Sequence, residues 1–469
     1  MRSHFVPFRS LHRCFYILAF LVLNAAAVLA LDGAIYIHDP STIVKCDGRY
    51  YVFGTGRGIP ILTSTNGFTW QRGGRVFDRI PDSVKAYVPN NNGVDVWAPD
   101  IIKLNGTYYL YYAVSRWGQI TSAIGLVTSP TLDPGKPGYK WTDRGMVVHS
   151  VDGEKLNTID PGVIRAPDGT LWISYGSYLG NIQLAQLNPK TGLRIAPDSR
   201  VYIIANRSEA SDIIYHEGYY YLFVNHGSCC SGINSTYNIR VGRSKRTTGP
   251  YLDRHGDDLA RGAGTLFAAA GGRRVGPGHF GLLVENGVEK FSCHYETDLD
   301  HAGRPILAIQ PLLWTLDGWP TAGENLKDGV YQIRSQQTGT IVEIPAGAPK
   351  VGGPARLGSY LIRDNQNWTI TRAGGGFYKI TNLAEGAALQ VAAGQPGPAT
   401  VGGDVDTAAY TGADNQLWII DELSDGSYRV ESKVDLRALT VVMNASPGNR
   451  IDLQAWNGAD TQRWALAAP

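Results

Sequence analysis

One strand–turn–strand unit returns five times between His38 and Glu296. The copies are HDPSTIVKCDGRYYVFGTG from His38, WAPDIIKLNGTYYLYYAVS from Trp97, IDPGVIRAPDGTLWISYGS from Ile159, EASDIIYHEGYYYLFVNHG from Glu209, and a weaker GHFGLLVENGVEKFSCHYE from Gly278. Each has a polar or acidic lead, a short β-branched strand, a turn such as Asp-Gly, Asn-Gly or Glu-Gly, and an aromatic strand that returns. Asn-Gly and Asp-Gly tolerate the left-handed backbone that a tight hairpin turn demands. A further strand follows the hairpins, as in AIGLVTS, IQLAQLN and IRVGRSK. Five four-stranded sheets at this spacing predict a five-bladed β-propeller over residues 31–320. A β-sandwich with coincidental similarity between strands is the competing reading.

After LDGWPTAGENLKDG the repeat changes. VYQIRSQQTGTIVEI, FYKITNLAEGAALQV and SYRVESKVDLRALTV open three copies, whose tyrosines Tyr331, Tyr378 and Tyr428 recur 47 and 50 residues apart. Each copy closes on Gln-x-Trp, at Gln366-Asn367-Trp368, Gln416-Leu417-Trp418 and Gln462-Arg463-Trp464. Three such units bury a core only together. The triple resembles the ricin-type β-trefoil, which implies an all-β second domain over residues 326–469 with these tryptophans on the barrel floor.

Composition narrows the setting. The chain has 469 residues, 18% of them charged and 10% aromatic, with 56 glycines and a formal net charge of +2. That is the profile of a loop-rich, exported β protein, and it gives no electrostatic reason to expect a nucleic acid or an anionic membrane as partner. Arg2, Arg9, His12 and Arg13 precede the apolar run FYILAFLVLNAAAVLA, so residues 1–30 read as a signal peptide cut after Ala30. The run is short for a membrane anchor, and Asn24 interrupts it. Secretion is expected, with no membrane attachment after cleavage, and a monomer. Cys14 leaves with the signal. Cys46, Cys229, Cys230 and Cys293 remain, an even number that fits disulfides in a secreted chain without fixing their pairing. Adjacent Cys229 and Cys230 bond each other only through a strained ring. Sequons stand at Asn105, Asn206, Asn234, Asn367 and Asn444.

In a propeller, the hairpin leads open the innermost strands, so side chains from different leads meet at one end of the axis. Three leads carry carboxylates: Asp39 in HDPS, Asp160 in IDPG and Glu209 in SEAS. Asp before Pro also serves as an ordinary turn residue, which is the structural reading of each aspartate alone. Three converging carboxyls are harder to explain by structure, because like charges brought together cost energy. Such a set suits glycoside hydrolysis, in which one carboxyl stays protonated as the acid and another stays ionised.

The motifs HDPS, VWAPDI, SAIGLVTS, IDPGVI, EASDIIYHEGYYYLF, NSTYNIRVGRS, GPGHFG and DGWP resemble glycoside hydrolase family 43, and most of all its arabinanases. The resemblance covers residues 33–320. It implies an inverting hydrolase with Asp39 as the base that activates water, Asp160 as the carboxylate that tunes the acid and orients substrate, and Glu209 as the acid. Trp97 is a candidate for stacking on a sugar face, with ordinary core packing as the alternative; Asn157 and Ser177 are candidates to hydrogen-bond hydroxyls at the same rim, His38 is a further candidate contact, and Tyr237 lies in STYNIR, which resembles the family's substrate loop. His279 in GPGHFG matches the family histidine associated with a water-coordinated calcium at the axis, with a structural hydrogen-bonding histidine as the alternative; no organic cofactor is implied. FSCHYETD at 291–298 and NRSEASDII around Glu209 depart locally from the family pattern, where loops shape the cleft.

In sugar-binding trefoils an early acidic residue and a nearby aromatic clamp the ligand. Here the early slot reads Glu343, Gln390 and Thr440, and late aromatics recur as Tyr360, Tyr410 and Trp456. Glu343, Tyr360, Tyr410 and Trp456 are the candidate sugar contacts, with a structural cap as the alternative. The leading expectation is a secreted enzyme cutting α-1,5-linked arabinan within the chain. Its rivals are an exo-acting arabinofuranosidase, xylosidase or galactanase, and, from another class, a non-catalytic lectin.

Overall fold

The computed structural model describes residues 31–469 except 286, 346, 348–352, 375–376, 393–404, 424 and 444–449. The expected signal peptide, Cys14 and the Asn444 sequon lie outside the described residues.

The five repeats form five antiparallel sheets arranged as blades. Their innermost strands are Val44–Cys46, Asp95–Leu104, Gly162–Arg165, Glu209–His216 and Arg274–Glu285. The aromatic strands that follow are Arg49–Phe53, Thr107–Val114, Leu171–Tyr175, Tyr219–His226 and Val288–Asp298. At Asp47-Gly48, Asn105-Gly106 and Glu217-Gly218 both turn residues have positive φ, from 43° to 84°. That backbone matches the right-handed twist of the flanking strands, which is why the sequence places Gly second in each pair. Blade sheets pack face to face. Ser122–Ser129 is buried at every position, since both faces of a blade meet a neighbour.

The ring closes through the chain start. Leu307 N–H donates to Ile35 O at 2.8 Å, and Ile37 N–H donates to Pro305 O at 3.3 Å, so residues 35–37 run beside the third strand of blade five. One apolar cluster accordingly joins Leu31 and Ile35 to Tyr221, Phe280 and Phe291. The fifth blade ends with Pro320–Ala322, two residues past the expected boundary, and Leu326 already lies in the second core.

That second core is built by threefold repetition. Trp368, Trp418 and Trp464 are 0% exposed. Each indole N–H donates to a backbone carbonyl in the same repeat, of Val342, Leu389 and Leu439, at 2.8–3.0 Å. The signature glutamines act alike. Gln366, Gln416 and Gln462 each accept a backbone N–H, from Leu361, Thr411 and Asn457. The two domains dock directly: Phe68 packs on Phe377 with ring centroids 5.2 Å apart, and buried Lys290 pairs with Asp421 at 2.9 Å.

The disulfide expectation is corrected. Cys46, Cys229, Cys230 and Cys293 are all free thiols, because Cys46 and Cys293 are core residues of different blades and Cys229 and Cys230 stay unbridged. Asn367 is buried in its repeat, so that sequon is closed to a glycan in the folded chain; Asn105 and Asn234 are exposed.

Candidate active site

Each repeat carries a kink at or near the head of its innermost strand. Asp39, Ala98, Asp160, Ala210 and His279 occupy the same place in the five copies, and all have positive φ, between 41° and 60°. Register shifts between Trp97 and Asp100, Glu209 and Asp212, and Gly278 and Gly281 mark three of these kinks as bulges. A non-glycine residue in this region costs roughly 1–2 kcal/mol, so five of them in one ring are a feature the surrounding packing enforces. The kinks bring the side chains at the leads together at one end of the axis. Contacts between blades follow: His279 Nδ1 lies 3.4 Å from Asp39 Oδ1, and Ala210 N–H donates to Asp160 Oδ2 at 3.1 Å.

Asp39 is only 16% exposed, yet it is built to stay ionised. His38 Nδ1 is 2.9 Å from Oδ2, and Thr55 Oγ1 donates to the same oxygen at 2.5 Å. Burial alone would raise its pKa. The charge of His38, with hydrogen bonds from His279 and His38, outweighs burial and holds Asp39 well below the usual carboxylate range.

Glu209 is poised the other way. Burial, then the nearby Asp160 charge, pushes it up to about 8, although Tyr237 O–H donates to Oε1 at 2.9 Å and favours the charged form. Asp160 is raised to about 6, first by burial, with His279 opposing and Asp39 adding to the rise. Near neutral pH the site therefore holds an ionised Asp39 and a protonated Glu209, a base and an acid from two blades, with Asp160 coupled to both.

The other expected positions divide. Trp97 is partly exposed one residue before its kink, and it meets Trp117, which is 72% exposed, edge to face at 6.4 Å. Tyr237 is buried, with its hydroxyl fixed on the Glu209 carboxyl. His38 likewise bridges Asp39 and Glu296. Asn157 and Ser177 are both 3% exposed; Asn157 Nδ2 donates to Ser177 Oγ at 2.9 Å, and Ser122 Oγ donates to Asn157 Oδ1 at 2.5 Å. Their polar groups satisfy each other inside blades two and three.

Several participants were not read from the sequence. Asp39 N–H donates to His294 Nδ1 at 3.1 Å, which leaves the His294 proton on Nε2, 3.5 Å from Glu296 Oε1. Burial and the neighbouring His38 lower the His294 pKa accordingly. Glu296 also receives His38 Nε2 at 3.3 Å, and is held at about 2 by these imidazoles despite its burial. Thr55, in accepting Ala98 N–H at 2.8 Å, ties blade one to blade two beside Asp39. The alternation of His294 and Glu296 on one strand was the available signal, since residues two apart share a face.

Deeper on the axis, Asp100 accepts Thr42 N–H at 3.1 Å and Val163 N–H at 2.9 Å, joining three blades. Asp100 and Asp212 are buried, and burial raises both pKa values. His279 is buried above them with Nδ1 turned to Asp39. Calcium prefers about six to eight oxygen ligands. One free imidazole nitrogen over buried carboxylates, whose oxygens already serve amides, fits a cation held largely through water.

In the trefoil, the early slot of each repeat faces its own glutamine. Gln366, Gln416 and Gln462 donate from Nε2 to Glu343, Gln390 and Thr440 at 2.7–3.1 Å. Tyr360, Tyr410 and Trp456 each carry a cation over the ring, from Arg334, Lys379 and Arg429 at 5.1–5.7 Å. Trp456 lines a groove of about 830 Å³ between the trefoil and the propeller end opposite the carboxylates.

Comparison with known proteins agrees with this layout. The model of glycosyl hydrolases family 43 matches residues 34–320, and that of the ricin-type beta-trefoil lectin domain-like family matches 312–400 and 364–456. An extracellular exo-α-(1→5)-L-arabinofuranosidase of Cellvibrio japonicus is 36% identical over 68% of this chain and 95% of its own. An extracellular endo-α-(1→5)-L-arabinanase of Bacillus subtilis is 38% identical over 61% of this chain and 87% of its own. The crystal structure of an exo-1,5-α-L-arabinanase from a bovine ruminal metagenomic library superposes with a TM-score of 0.59 at 39% identity, covering 62% of this chain and 97% of the other.

Proposed function

The chain belongs to glycosyl hydrolases family 43, and from that membership we propose that it is a secreted, inverting hydrolase that cuts α-1,5-linked L-arabinofuranose chains internally. The observation that carries the reading is the opposite poise of Asp39 and Glu209 in one pocket. Glu209 donates its proton to the leaving oxygen as the bond lengthens. Asp39 takes a proton from the water that attacks the anomeric carbon from the other side. Asp160 keeps Glu209 protonated through its charge and lies where it can orient the sugar. His38, Thr55 and His279 fix the Asp39 carboxylate, and Tyr237 fixes Glu209.

Internal cleavage is supported by the Trp97–Trp117 pair. Trp97, one residue before the Ala98 kink, and the exposed Trp117 offer aromatic surface on which sugars beyond the one being cut would stack. The exo reading draws on the Cellvibrio japonicus relative. We also propose that His279 holds a calcium ion, which would supply positive charge on the axis beneath Asp39. The trefoil would hold the enzyme on its polysaccharide, with Tyr360 and Tyr410 as its exposed aromatics.

The test is a product series. Debranched arabinan yields a ladder of oligosaccharides if cleavage is internal and monomer alone if it is terminal. Binding without product would instead support a lectin. The first product appears with inverted anomeric configuration by NMR; a retained configuration overturns the assignment of Asp39.

A further inference from the structure

The loop that follows the second strand of blade four carries a thiol into the catalytic mouth. His38, Cys230 and Glu296 each offer one ligand atom, and these three atoms all lie within 4.8 Å of one another. They come from blade one, from the 227–237 loop and from the second strand of blade five, so the cluster exists only in the folded ring. Cys230 is exposed and Glu296 is buried, which gives the cluster an open side and a fixed floor. Cys230 also has a φ of 61°, a strained backbone for a β-carbon residue that its loop holds in place.

We propose that His38 Nε2, Cys230 Sγ and Glu296 Oε1 form a binding site for a borderline divalent cation, zinc in particular, and that its occupancy shuts off hydrolysis. The donor set decides the class of ion. One imidazole, one thiolate and one carboxylate bound directly to the ion suit zinc, whereas calcium and magnesium prefer a shell made mostly of oxygens and avoid thiolate. On a tetrahedral zinc, such ligand atoms lie about 3.4–3.6 Å apart. His38 Nε2 and Glu296 Oε1 are already 3.3 Å apart, so only the thiol has to close in. The ion takes the place of the proton between these two atoms, and the Cys230 thiol proton leaves as well, both to solvent.

The remaining imidazole nitrogen completes the case. Metal-bound histidines generally donate their other N–H to a carboxylate, which orients the ring and strengthens the ligand. Here that carboxylate is Asp39, 2.9 Å from His38 Nδ1. Zinc on His38 would therefore draw charge from Asp39 through the ring and weaken it as a base, while blocking the open side of the pocket. The inhibitory half of the proposal rests on the hydrolase reading; the binding half does not.

The experiment uses the full chain, reduced, desalted without oxygen, and titrated with cobalt(II) as a spectroscopic probe. A thiolate-to-cobalt charge-transfer band appears in the wild type and in Cys229→Ser, and is absent in Cys230→Ser. In parallel, zinc abolishes arabinan hydrolysis by the wild type and by Cys229→Ser. The concentration for half inhibition rises at least about tenfold in Cys230→Ser. Unchanged melting temperatures establish that both variants are folded. No band in the wild type, or a band that survives in Cys230→Ser, overturns the site. A Cys230-dependent band with hydrolysis indifferent to zinc overturns the inhibition. If the chain cuts no arabinan at all, the cobalt band still decides the site.

Discussion

Glu209 and Asp39 carry the same functional group, and their surroundings drive them to opposite protonation states. The Asp39 carboxylate meets the imidazoles of His38 and His279 and a hydroxyl; Glu209 is buried beside the Asp160 carboxylate and meets one phenol. The rate on arabinan should be highest between about 6 and about 8, where Asp160 is ionised and Glu209 is not, and fall above about 8. Two variants move the alkaline limb in opposite directions. Asp160→Asn removes a like charge, so the Glu209 carboxylate becomes easier to form and the limb shifts to lower pH. Tyr237→Phe removes a hydrogen bond to the carboxylate, so the limb shifts to higher pH. Profiles of kcat/KM against pH for the three proteins check both signs, and a shared shift would contradict the assignment. Asp39, Asp160 and Glu209 were legible in the sequence because each sits at the lead of a repeat. Tyr237 was legible as a site residue but not in its role, since the loop that buries it against Glu209 has no repeat pattern of its own.

The kinked start of the innermost strand is the element on which the site depends. In five copies it holds a non-glycine residue in the left-handed region, and the side chains there and just before it form the mouth of the pocket. At Ala98 the strained residue has no polar group to contribute. Ala98 is also 0% exposed, so Ala98→Val, which puts a β-branched side chain at a φ of 41° in a closed site, should cost about 1–3 kcal/mol and lower the apparent melting temperature, read by calorimetry; an unchanged one would show that the kink is not held by its packing. The hairpins that set the blade count were legible because turn chemistry and alternation are local signals. The partners that reach between blades were not. His294 meets Asp39 across 255 residues of sequence, and only ring closure makes them neighbours. Asn157 and Ser177 flank the first hairpin of blade three, and their mutual hydrogen bond was not legible because it forms only once that hairpin folds.

At the scale of the whole molecule, the two domains share a buried electrostatic contact. Lys290 of the propeller pairs with Asp421 of the trefoil, and Arg429 joins Asp421 at 2.6 Å. Asp421→Ala leaves Lys290 buried without its carboxylate. It should cost about 3–5 kcal/mol, whereas Lys290→Met with Asp421→Leu should cost far less. Calorimetry would show the trefoil melting earlier in the single variant, and equal losses would contradict the pairing. The ring itself has one consequence above the others: it carries the Asp39 and Glu209 carboxyls from blades one and four to a single pocket. The most direct measurement compares Glu209→Gln with the wild type on two substrates, debranched arabinan and an arabino-oligoside bearing a dinitrophenyl leaving group. Protonation of the leaving oxygen matters only for the first. The account predicts a loss of about 10²–10⁴-fold on arabinan and near wild-type bond cleavage on the activated substrate; equal losses on both would contradict the assignment of Glu209 as the acid.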